Sequence, residues 1–422
     1  MIFQPLEKRV HGTMRIARKF LLMGRVARGG SAVAVLMCIL FGILGFTAGW
    51  LMAQRYAQED TAKRCASGPW GHLRYTDTFV EVPKERVKVE SVPQEPTRWF
   101  VAAVSPLNLK LALCSCGLAE QQVKELLDSS VAVTNNAVGY ELRPADEFVR
   151  DLRPGERANL YKFLATFPQN VAQAEPYRFD ASLRMDWLGA TQLDPEVVRL
   201  VDKLIYRQNG LWLFSDLNLV LRHYPDPQGY ADLFRALSRV PSLVAYLRVE
   251  LNDDADDLAK YWGWPDRMEA IWTRVKASQA TGGIQHISLS ALLPPFAREH
   301  LYRHRMKEDP EIANCHYSAM NFWSDPPDLR FTNDVEVVRS LREDYVEVTG
   351  GFQLGDVVQF MEKGNRVVHS CNYIADRLVF TKNSRSVISP WILATLDDLQ
   401  ELYSYPKPVT MRVLRRHDLI KH

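Results

Sequence analysis

The chain has 422 residues, which is long enough for two folded domains at the usual size of about 150 residues each. Its 47% hydrophobic and 24% charged residues are typical of a globular protein and exclude a low-complexity chain. The formal net charge of +2 excludes a strongly basic molecule, so we expect no nucleic-acid partner.

Residues 31–53, with the sequence SAVAVLMCILFGILGFTAGWLMA, contain no charged side chain and predict a transmembrane helix. Such a helix would rise about 34 Å at about 1.5 Å per residue, enough to cross a hydrocarbon core about 30 Å thick. The tail 1–30 is rich in Lys and Arg and has a single acidic residue, so we expect it to stay cytoplasmic and the rest to be exported. The predicted location is the bacterial inner membrane, crossed once, with most of the chain in the periplasm.

One other interpretation of this stretch competes with the anchor, and one motif within it concerns dimer formation. A cleaved signal peptide fits less well, because the apolar run is longer than a typical signal core and no small-x-small site follows it. Gly45 and Gly49 form a GxxxG motif that would let two copies pack as a homodimer, although glycine is common in membrane helices for other reasons. The expected partners of residues 31–53 are thus the lipid bilayer and, through these glycines, a second copy.

Residues 54–97 predict a connector between the anchor and the folded part. The stretch FVEVPKERVKVESV (79–92) alternates apolar and charged residues, which indicates one or two exposed strands or an extended stalk. Pro83 would limit any strand here to the edge of a sheet, because proline has no N–H to donate.

Residues 98–305 predict a mainly helical domain. Asp194-Pro195 and Pro265-Asp266 are typical helix starts, and each precedes apolar residues at helical spacing. The stretch VAVTNNAVGYEL (131–142) predicts a hairpin that turns at Asn135-Asn136. The remaining predicted helices cover residues 119–128, 154–165, 228–249 and 295–305.

No side chain of this middle domain indicates a chemistry. The acidic run at residues 253–257 lacks the spacing and the glycine turn of a calcium loop, so we expect it to cap a helix. His300 and His304 lie at the i, i+4 spacing that can bind zinc, but the order HExxH is absent and a solvated basic face is the better interpretation. The predicted protein has no metal and no organic cofactor.

Residues 306–422 change from one short helix to strands, and this is where candidate catalytic residues appear. Asn314 can cap a helix that starts at Cys315. A thiol in the first turn of a helix lies at the positive end of the helix dipole, which favours the nucleophilic thiolate. Residues 357–360, 366–373 and 378–383 then predict an antiparallel meander with His369 in its middle strand. A neutral imidazole held there can accept a proton from a thiol.

The order of these features resembles the NlpC-type, papain-like cysteine peptidases and amidases. A cysteine at a helix start is followed by Gly355-Asp356 before a strand, a histidine on the next strand, and a polar residue on the strand after that. The resemblance covers residues 308–405 and implies that Cys315 is the nucleophile and His369 the base. It implies a third polar residue that orients the imidazole, for which we prefer Asn383 because an amide oxygen can accept from the imidazole N–H.

Several positions depart from the family or leave alternatives open. The family has Asp-Cys-Ser where this chain has Asn314-Cys315-His316, and Ser370 and Cys371 follow the histidine. Thr381 and Lys382 also fall near the third position, and the register of the hairpin decides among the three. Cys371 could itself be the reactive thiol, although a strand cysteine lacks the helix dipole that favours Cys315.

The predicted fold class is α+β: a single N-terminal transmembrane helix, a mainly helical middle domain, and a C-terminal papain-like domain at 306–422. The predicted function is a membrane-anchored thiol hydrolase that cleaves amide bonds, and the resemblance together with the exported location implies peptides of the cell wall as substrates. The alternative is a non-catalytic membrane-tethered scaffold whose papain-like domain serves for binding. Acyl chemistry on lipids is a third option.

Overall fold

The structure is a computed structural model. It describes residues 62–420 apart from residues 88, 90, 93, 103–104, 134–138, 180–192, 209, 264 and 405–406. Residues Arg64–His422 form one compact unit of mixed helix and sheet, which confirms the α+β part of the predicted fold class.

The predicted membrane architecture is corrected by the structure. Among the residues that the structure describes, no helix is long and apolar enough to cross a bilayer. The longest of these helices, Met268–Ala280, has 13 residues and spans only about 20 Å at about 1.5 Å per residue. Residues 31–53 with Gly45 and Gly49, and the tail 1–30, lie outside the described residues. We therefore retain neither the single-pass topology nor the inner-membrane location.

The elements are numbered in chain order over the described residues. The strands are β1 Lys63–Arg64, β2 His72–Val80, β3 Trp99–Ala102, β4 Val131–Val133, β5 Gly139–Leu142, β6 Tyr177–Phe179, β7 Tyr206–Gln208, β8 Leu211–Phe214, β9 Val240–Val249, β10 Gln285–Ser288, β11 Tyr345–Glu347, β12 Val357–Glu362, β13 Arg366–Ala375, β14 Leu378–Lys382, β15 Trp391–Thr395 and β16 Thr410–Arg416. The helices are α1 Pro106–Ser115, α2 Glu120–Asp128, α3 Asp146–Asp151, α4 Pro154–Leu164, α5 Val171–Ala174, α6 Pro195–Leu204, α7 Leu217–His223, α8 Pro227–Leu237, α9 Ala255–Gly263, α10 Met268–Ala280, α11 Pro295–His300, α12 Cys315–Met320, α13 Asp334–Glu343 and α14 Leu396–Tyr403.

The first half of the predicted helical domain has a core of its own. Helices α1–α8 and two three-stranded sheets, β3-β5-β4 and β6-β8-β7, surround buried residues such as Trp99, Leu160 and Phe214. Helices α2, α4 and α6 confirm three of the predicted helices, and Asp194 caps α6 by accepting from the Glu196 N–H at 2.8 Å. Strands β4 and β5 pair as predicted for the hairpin, whose turn lies outside the described residues.

The prediction of one helix over residues 228–249 is wrong. Helix α8 ends at Leu237, and residues 240–249 form strand β9 instead. The strand exists because β9 pairs antiparallel with β2 along its whole length, from His72↔Arg248 to Val80↔Val240. The predicted connector therefore contributes a strand that lies between β1 and β9 in a four-stranded sheet, β1-β2-β9-β10, and Pro83 follows that strand.

The candidate site lies on a six-stranded antiparallel sheet in the order β11-β16-β12-β13-β14-β15. Helix α12 packs on one face, where the Asn372 amide donates to the Ala319 carbonyl at 3.0 Å and the Trp391 indole donates to Ser318 at 2.8 Å. Helix α14 covers the other face, where Leu399 packs with Phe360. Because strand side chains alternate between faces, each residue of β13 is assigned to one side or the other.

This sheet is joined to the residues before position 306. The Ser242 hydroxyl of β9 bonds to both the carbonyl and the N–H of Leu393 at 3.2 Å, and the Tyr261 hydroxyl donates to the Ile374 carbonyl at 2.6 Å. One apolar cluster runs from Leu73 to Leu393. The core therefore crosses the position where the sequence suggested a domain boundary.

Candidate functional site

Cys315 begins α12, as the sequence predicted. The Asn314 side chain accepts a hydrogen bond from the Tyr317 N–H at 2.8 Å, which is the usual N-cap arrangement. The half-buried Cys315 side chain lies near the backbone N–H groups of Ser370 and His316. These donors lower the pKa of the thiol, but burial has the larger effect and raises it. The resting sulfur is therefore a neutral thiol at neutral pH.

His369 lies on β13 and is only 1% exposed. Its Nε2 lies 2.7 Å from the Thr381 hydroxyl, and that hydroxyl donates in turn to Asn383 Oδ1 at 3.2 Å. A hydroxyl has one proton, so a Thr381 hydroxyl that donates to Asn383 accepts from the imidazole. The proton of neutral His369 is therefore on Nε2, and Nδ1 is the basic nitrogen.

The geometry bears on the choice among the three candidates for the third residue. Thr381, and not Asn383, contacts the imidazole, while Asn383 is the next member of the chain of hydrogen bonds. The register Tyr373↔Val379 between β13 and β14 explains the difference, because it places Thr381 on the same face as His369. Lys382 consequently projects to the opposite face, the one that α12 covers.

The environment of His369 keeps it neutral. Its ring stacks on Tyr403 of α14 with centroids 4.2 Å apart and lies 6.1 Å from Phe360. Burial, with a smaller effect from His316, lowers the pKa of His369 to about 3. The imidazole is thus in the form that can accept a proton throughout the neutral range.

The part of β13 that lies near the Cys315 side chain is its backbone at Ser370, next to His369. The N–H group that lowers the pKa of Cys315 most belongs to Ser370, the residue directly after His369. Among the described residues, no hydrogen bond joins the sulfur to the imidazole itself; the ring's hydrogen bond goes to Thr381. The structure therefore brings Cys315 to the backbone of β13 from the side of α12, whereas the His369 ring stacks on Tyr403 on the face that α14 covers. Both groups are neutral, and they do not form an ion pair.

Cys371, the alternative thiol, is 1% exposed and packs in the apolar cluster beneath α14. Burial, together with the nearby Cys315, raises the pKa of Cys371 well above the ordinary value. A buried neutral thiol without a helix dipole is a poor nucleophile, which leaves Cys315 as the better candidate.

A polar group between α12 and the sheet was not predicted from the sequence. His316 Nδ1 lies 2.9 Å from the Ser370 hydroxyl, which also accepts from the Gln359 amide at 3.4 Å, and Arg412 donates to that amide's oxygen at 2.6 Å. Register pairs Gln359 with Ser370, so both face α12. The alternation of residues along β13 is the signal that could have revealed this group. These bonds hold the start of α12 against β13.

The other polar candidates have structural roles. Asp254 accepts from the N–H groups of Asp256 and Asp257 at the start of α9, so the acidic run caps a helix as expected. His300 bonds to the Phe296 carbonyl and to Asp309, at 2.8 and 3.3 Å. Over the described part of the chain, no group of three or more His, Cys, Asp or Glu side chains is arranged to hold a metal ion.

Comparisons with protein-family models, with curated proteins and with solved structures found no match to this chain. The resemblance to NlpC-type enzymes therefore rests only on the order of Cys315, Gly355-Asp356 and His369 in the sequence. The functional argument rests on the geometry around those residues.

Proposed function

We propose that the protein is a thiol hydrolase that cleaves amide bonds with Cys315 as nucleophile, His369 as base and Thr381 as the residue that orients the imidazole. The observation that carries the proposal is the hydrogen bond between His369 Nε2 and Thr381, which leaves Nδ1 as the proton acceptor. A nucleophile, a base and a third group that fixes the base are the arrangement that this chemistry requires.

The proposed reaction requires that substrate binding first brings the His369 ring from the α14 side within reach of the Cys315 thiol. His369 Nδ1 then takes the proton of the thiol as the sulfur attacks the substrate carbonyl carbon. The carbonyl π electrons move to oxygen, and backbone N–H groups at the start of α12 stabilise the resulting oxyanion. Collapse of this intermediate breaks the C–N bond, and the imidazolium returns its proton to the leaving amine. Water, deprotonated by His369, then cleaves the thioester and regenerates the thiol.

The substrate proposal is broader than the sequence suggested. Cell-wall peptides were expected from the family resemblance and from an exported location, and that location is not retained. The proposal is therefore limited to amide bonds of peptides, and purified peptidoglycan is one substrate to test beside unmodified peptides.

The proposal is tested with a peptide-based, cysteine-reactive acyl probe, with the labelled residue identified by mass spectrometry. We expect labelling at Cys315 that is lost in Cys315→Ala. Labelling in Thr381→Val should be slower by about tenfold or more, the usual range for disturbing a positioned base, whereas Thr381→Ser should keep most of the rate. Labelling that is unchanged in His369→Ala, or that maps to Cys371, would contradict the proposal.

A non-catalytic binding protein is the second candidate, and one observation favours it. The free protein has a neutral Cys315 and a neutral, almost fully buried His369 with no hydrogen bond between them. If Cys315 reacts with the acyl probe no faster than the half-buried Cys114, and Thr381→Val changes nothing, the binding protein is the correct assignment.

A further inference from the structure

Three cationic side chains gather on the side of the sheet where α12 lies, and we call Arg86, Arg305 and Lys382 the cationic cluster. Arg86 donates to the Arg305 carbonyl at 2.7 Å. The segment that carries Arg305 runs beside the start of β15, because His304 pairs with Pro390. The next residue of β15, Trp391, pairs with Lys382 on β14. These contacts therefore bring together the segments that carry the three cations, from three distant parts of the chain.

Lys382 is the innermost member of the cationic cluster and is 0% exposed. Its Nζ donates to the carbonyls of Ser384 and Ser386 at 2.5 and 2.9 Å and lies 5.4 Å from the centre of the Trp391 ring. An ammonium group has three protons to donate, so one is left over. The same Trp391 ring bonds to Ser318, one helical turn from Cys315, and the Lys382 charge acts on Cys315.

The charge of the cationic cluster is not balanced from within the protein. Over the part of the chain that the structure describes, none of its three side chains has a carboxylate oxygen within 4.0 Å. Asp309 acts on Lys382 from further away, but its oxygens already bond to His300 and to the Met306 N–H. Burial of a cation without a counter-ion is costly, and here burial and Arg305 lower the pKa of Lys382 to about 8.

The pKa of His304 is affected by the same excess of positive charge. Its side chain is buried beside the cationic cluster, and burial together with Arg86 and Lys382 lowers its pKa to about 4. His304 is therefore neutral at neutral pH and adds no cation. An anion placed among Arg86, Arg305 and Lys382 would supply the missing counter-charge.

We propose that the cationic cluster is a binding subsite for an anionic group, a carboxylate or a phosphate, carried by the acyl substrate of Cys315. Guanidinium forks and a buried ammonium with a spare N–H are groups that bind such oxyanions well. The identification of the ligand as a substrate rests on the proposed function, whereas the affinity of the subsite for anions does not depend on it.

The test compares two alkylating agents of nearly equal size, the anion iodoacetate and the neutral iodoacetamide. With each, the cysteine thiolate displaces iodide and forms a C–S bond. Rates at Cys315 and Cys114 are followed by mass spectrometry in the full chain at low salt. We expect the ratio of the iodoacetate rate to the iodoacetamide rate to be about fivefold higher at Cys315 than at Cys114, the size of a partly exposed charge interaction. Equal ratios at the two cysteines would overturn the proposal.

Variants show which side chains cause the preference for iodoacetate at Cys315. Arg305→Gln and Arg86→Gln should each reduce the preference at Cys315 by about half or more, and Lys382→Met should abolish it. If Lys382→Met fails to fold because the Ser384 and Ser386 carbonyls lose their donor, the two arginine variants decide. Lys307→Gln, an exposed neighbour outside the cationic cluster, is the matched control and should leave the ratio unchanged. A preference retained in both arginine variants would contradict the assignment.

Two further measurements separate the possible outcomes. Succinate and inorganic phosphate are added at equal ionic strength, and whichever slows iodoacetate at Cys315 identifies the preferred oxyanion; no protection by either would overturn the proposal. In His369→Ala, the charge preference should persist although acyl-probe labelling is lost. This variant therefore distinguishes failure of the anion subsite from failure of the hydrolase proposal.

Discussion

At the scale of single residues, the Thr381 hydroxyl determines which nitrogen of His369 carries the proton. Because Thr381 gives its own proton to Asn383, it accepts from Nε2 and leaves Nδ1 basic. The Tyr403 hydroxyl donates to the Asn383 carbonyl at 3.1 Å, so the strand end that holds Asn383 is itself fixed by α14. The orientation of the base is thus set by a chain of contacts that begins outside the sheet.

The low pKa of His369 predicts acid sensitivity. In the folded state it titrates at about 3, whereas an unfolded histidine titrates near 6.5, so only the unfolded chain takes up the proton between these values. The stability that His369 contributes is complete above pH 6.5 and is lost as the pH falls towards 3. Between pH 7 and pH 5 the free energy of unfolding should drop by about 2 kcal/mol from this residue.

Urea denaturation of the wild type and His369→Gln at pH 7 and pH 5 measures this effect. The wild type should lose more stability than the variant over this interval. Burial raises the pKa of Asp216 to about 6, so Asp216 makes the protein more stable as the pH falls from 7 to 5. This effect is the same in both proteins, so the difference between them comes from His369. His72→Gln, at an exposed histidine, should behave like the wild type. Equal acid losses in wild type and His369→Gln would contradict the prediction.

At the scale of elements, Gly355 sets how the chain enters β12. Its φ of +88° lies in the left-handed region, and a Cβ there would come within 2.3 Å of the Trp323 indole nitrogen. The next residue, Asp356, is fully buried and accepts two hydrogen bonds from Arg415, at 2.8 and 2.7 Å. The Gly-Asp pair therefore packs against the end of α12 on one side and anchors β16 on the other.

We predict that Gly355→Ala lowers the free energy of unfolding by about 2 to 4 kcal/mol, from left-handed strain of about 1 kcal/mol plus overpacking against Trp323. Gly350→Ala is the matched control, because nothing lies within 4 Å of its added Cβ, and it should stay within about 0.5 kcal/mol of the wild type. Denaturant unfolding of both variants at pH 7 provides the measurement. A Gly355→Ala protein as stable as Gly350→Ala would show that Trp323 can move aside.

The elements also show what local sequence can and cannot predict. Asn314 and Cys315 were placed correctly because an N-cap is a signal within four residues. The sequence left the third site residue open because Thr381 and Asn383 lie two positions apart, and only the β13–β14 register shows which of them contacts the imidazole. Strand β9 was missed because its partner β2 lies far away in sequence, and an apolar stretch directly after helix α8 is equally typical of more helix.

At the scale of the whole molecule, the described residues between positions 64 and 97 belong to the folded unit. Besides the pairing of β2 with β9, Arg235 donates to the Val82 carbonyl at 2.8 Å and Arg239 pairs with Glu81 at 3.1 Å. Leu73 is 2% exposed in the same apolar cluster as Phe380, which lies on the site-bearing sheet. Removal of these residues should therefore affect the candidate site.

We predict that a fragment starting at residue 98 is much less stable than one starting at residue 62, because it leaves one edge of β9 unpaired and exposes the core beneath β2. A drop in Tm of at least about 10 °C, or aggregation on expression, is the expected result. The melting curves of the two fragments, recorded side by side by circular dichroism, measure it. Identical melting curves would mean that β2 is dispensable and that the predicted connector behaves as one.

The pairing of β2 with β9 also means that β2 is synthesised well before its partner strand. At about 5–20 residues per second, β2 leaves the ribosome roughly 8 to 30 seconds before its partner β9 exists. Until β9 is made, the edge of β2 that will pair with it is exposed and can associate with other nascent chains. Arg74 and Asp77 lie within β2, and charged residues in an unpaired strand oppose its association with other chains. The same sequence must therefore remain soluble early in synthesis and later pair between β1 and β9.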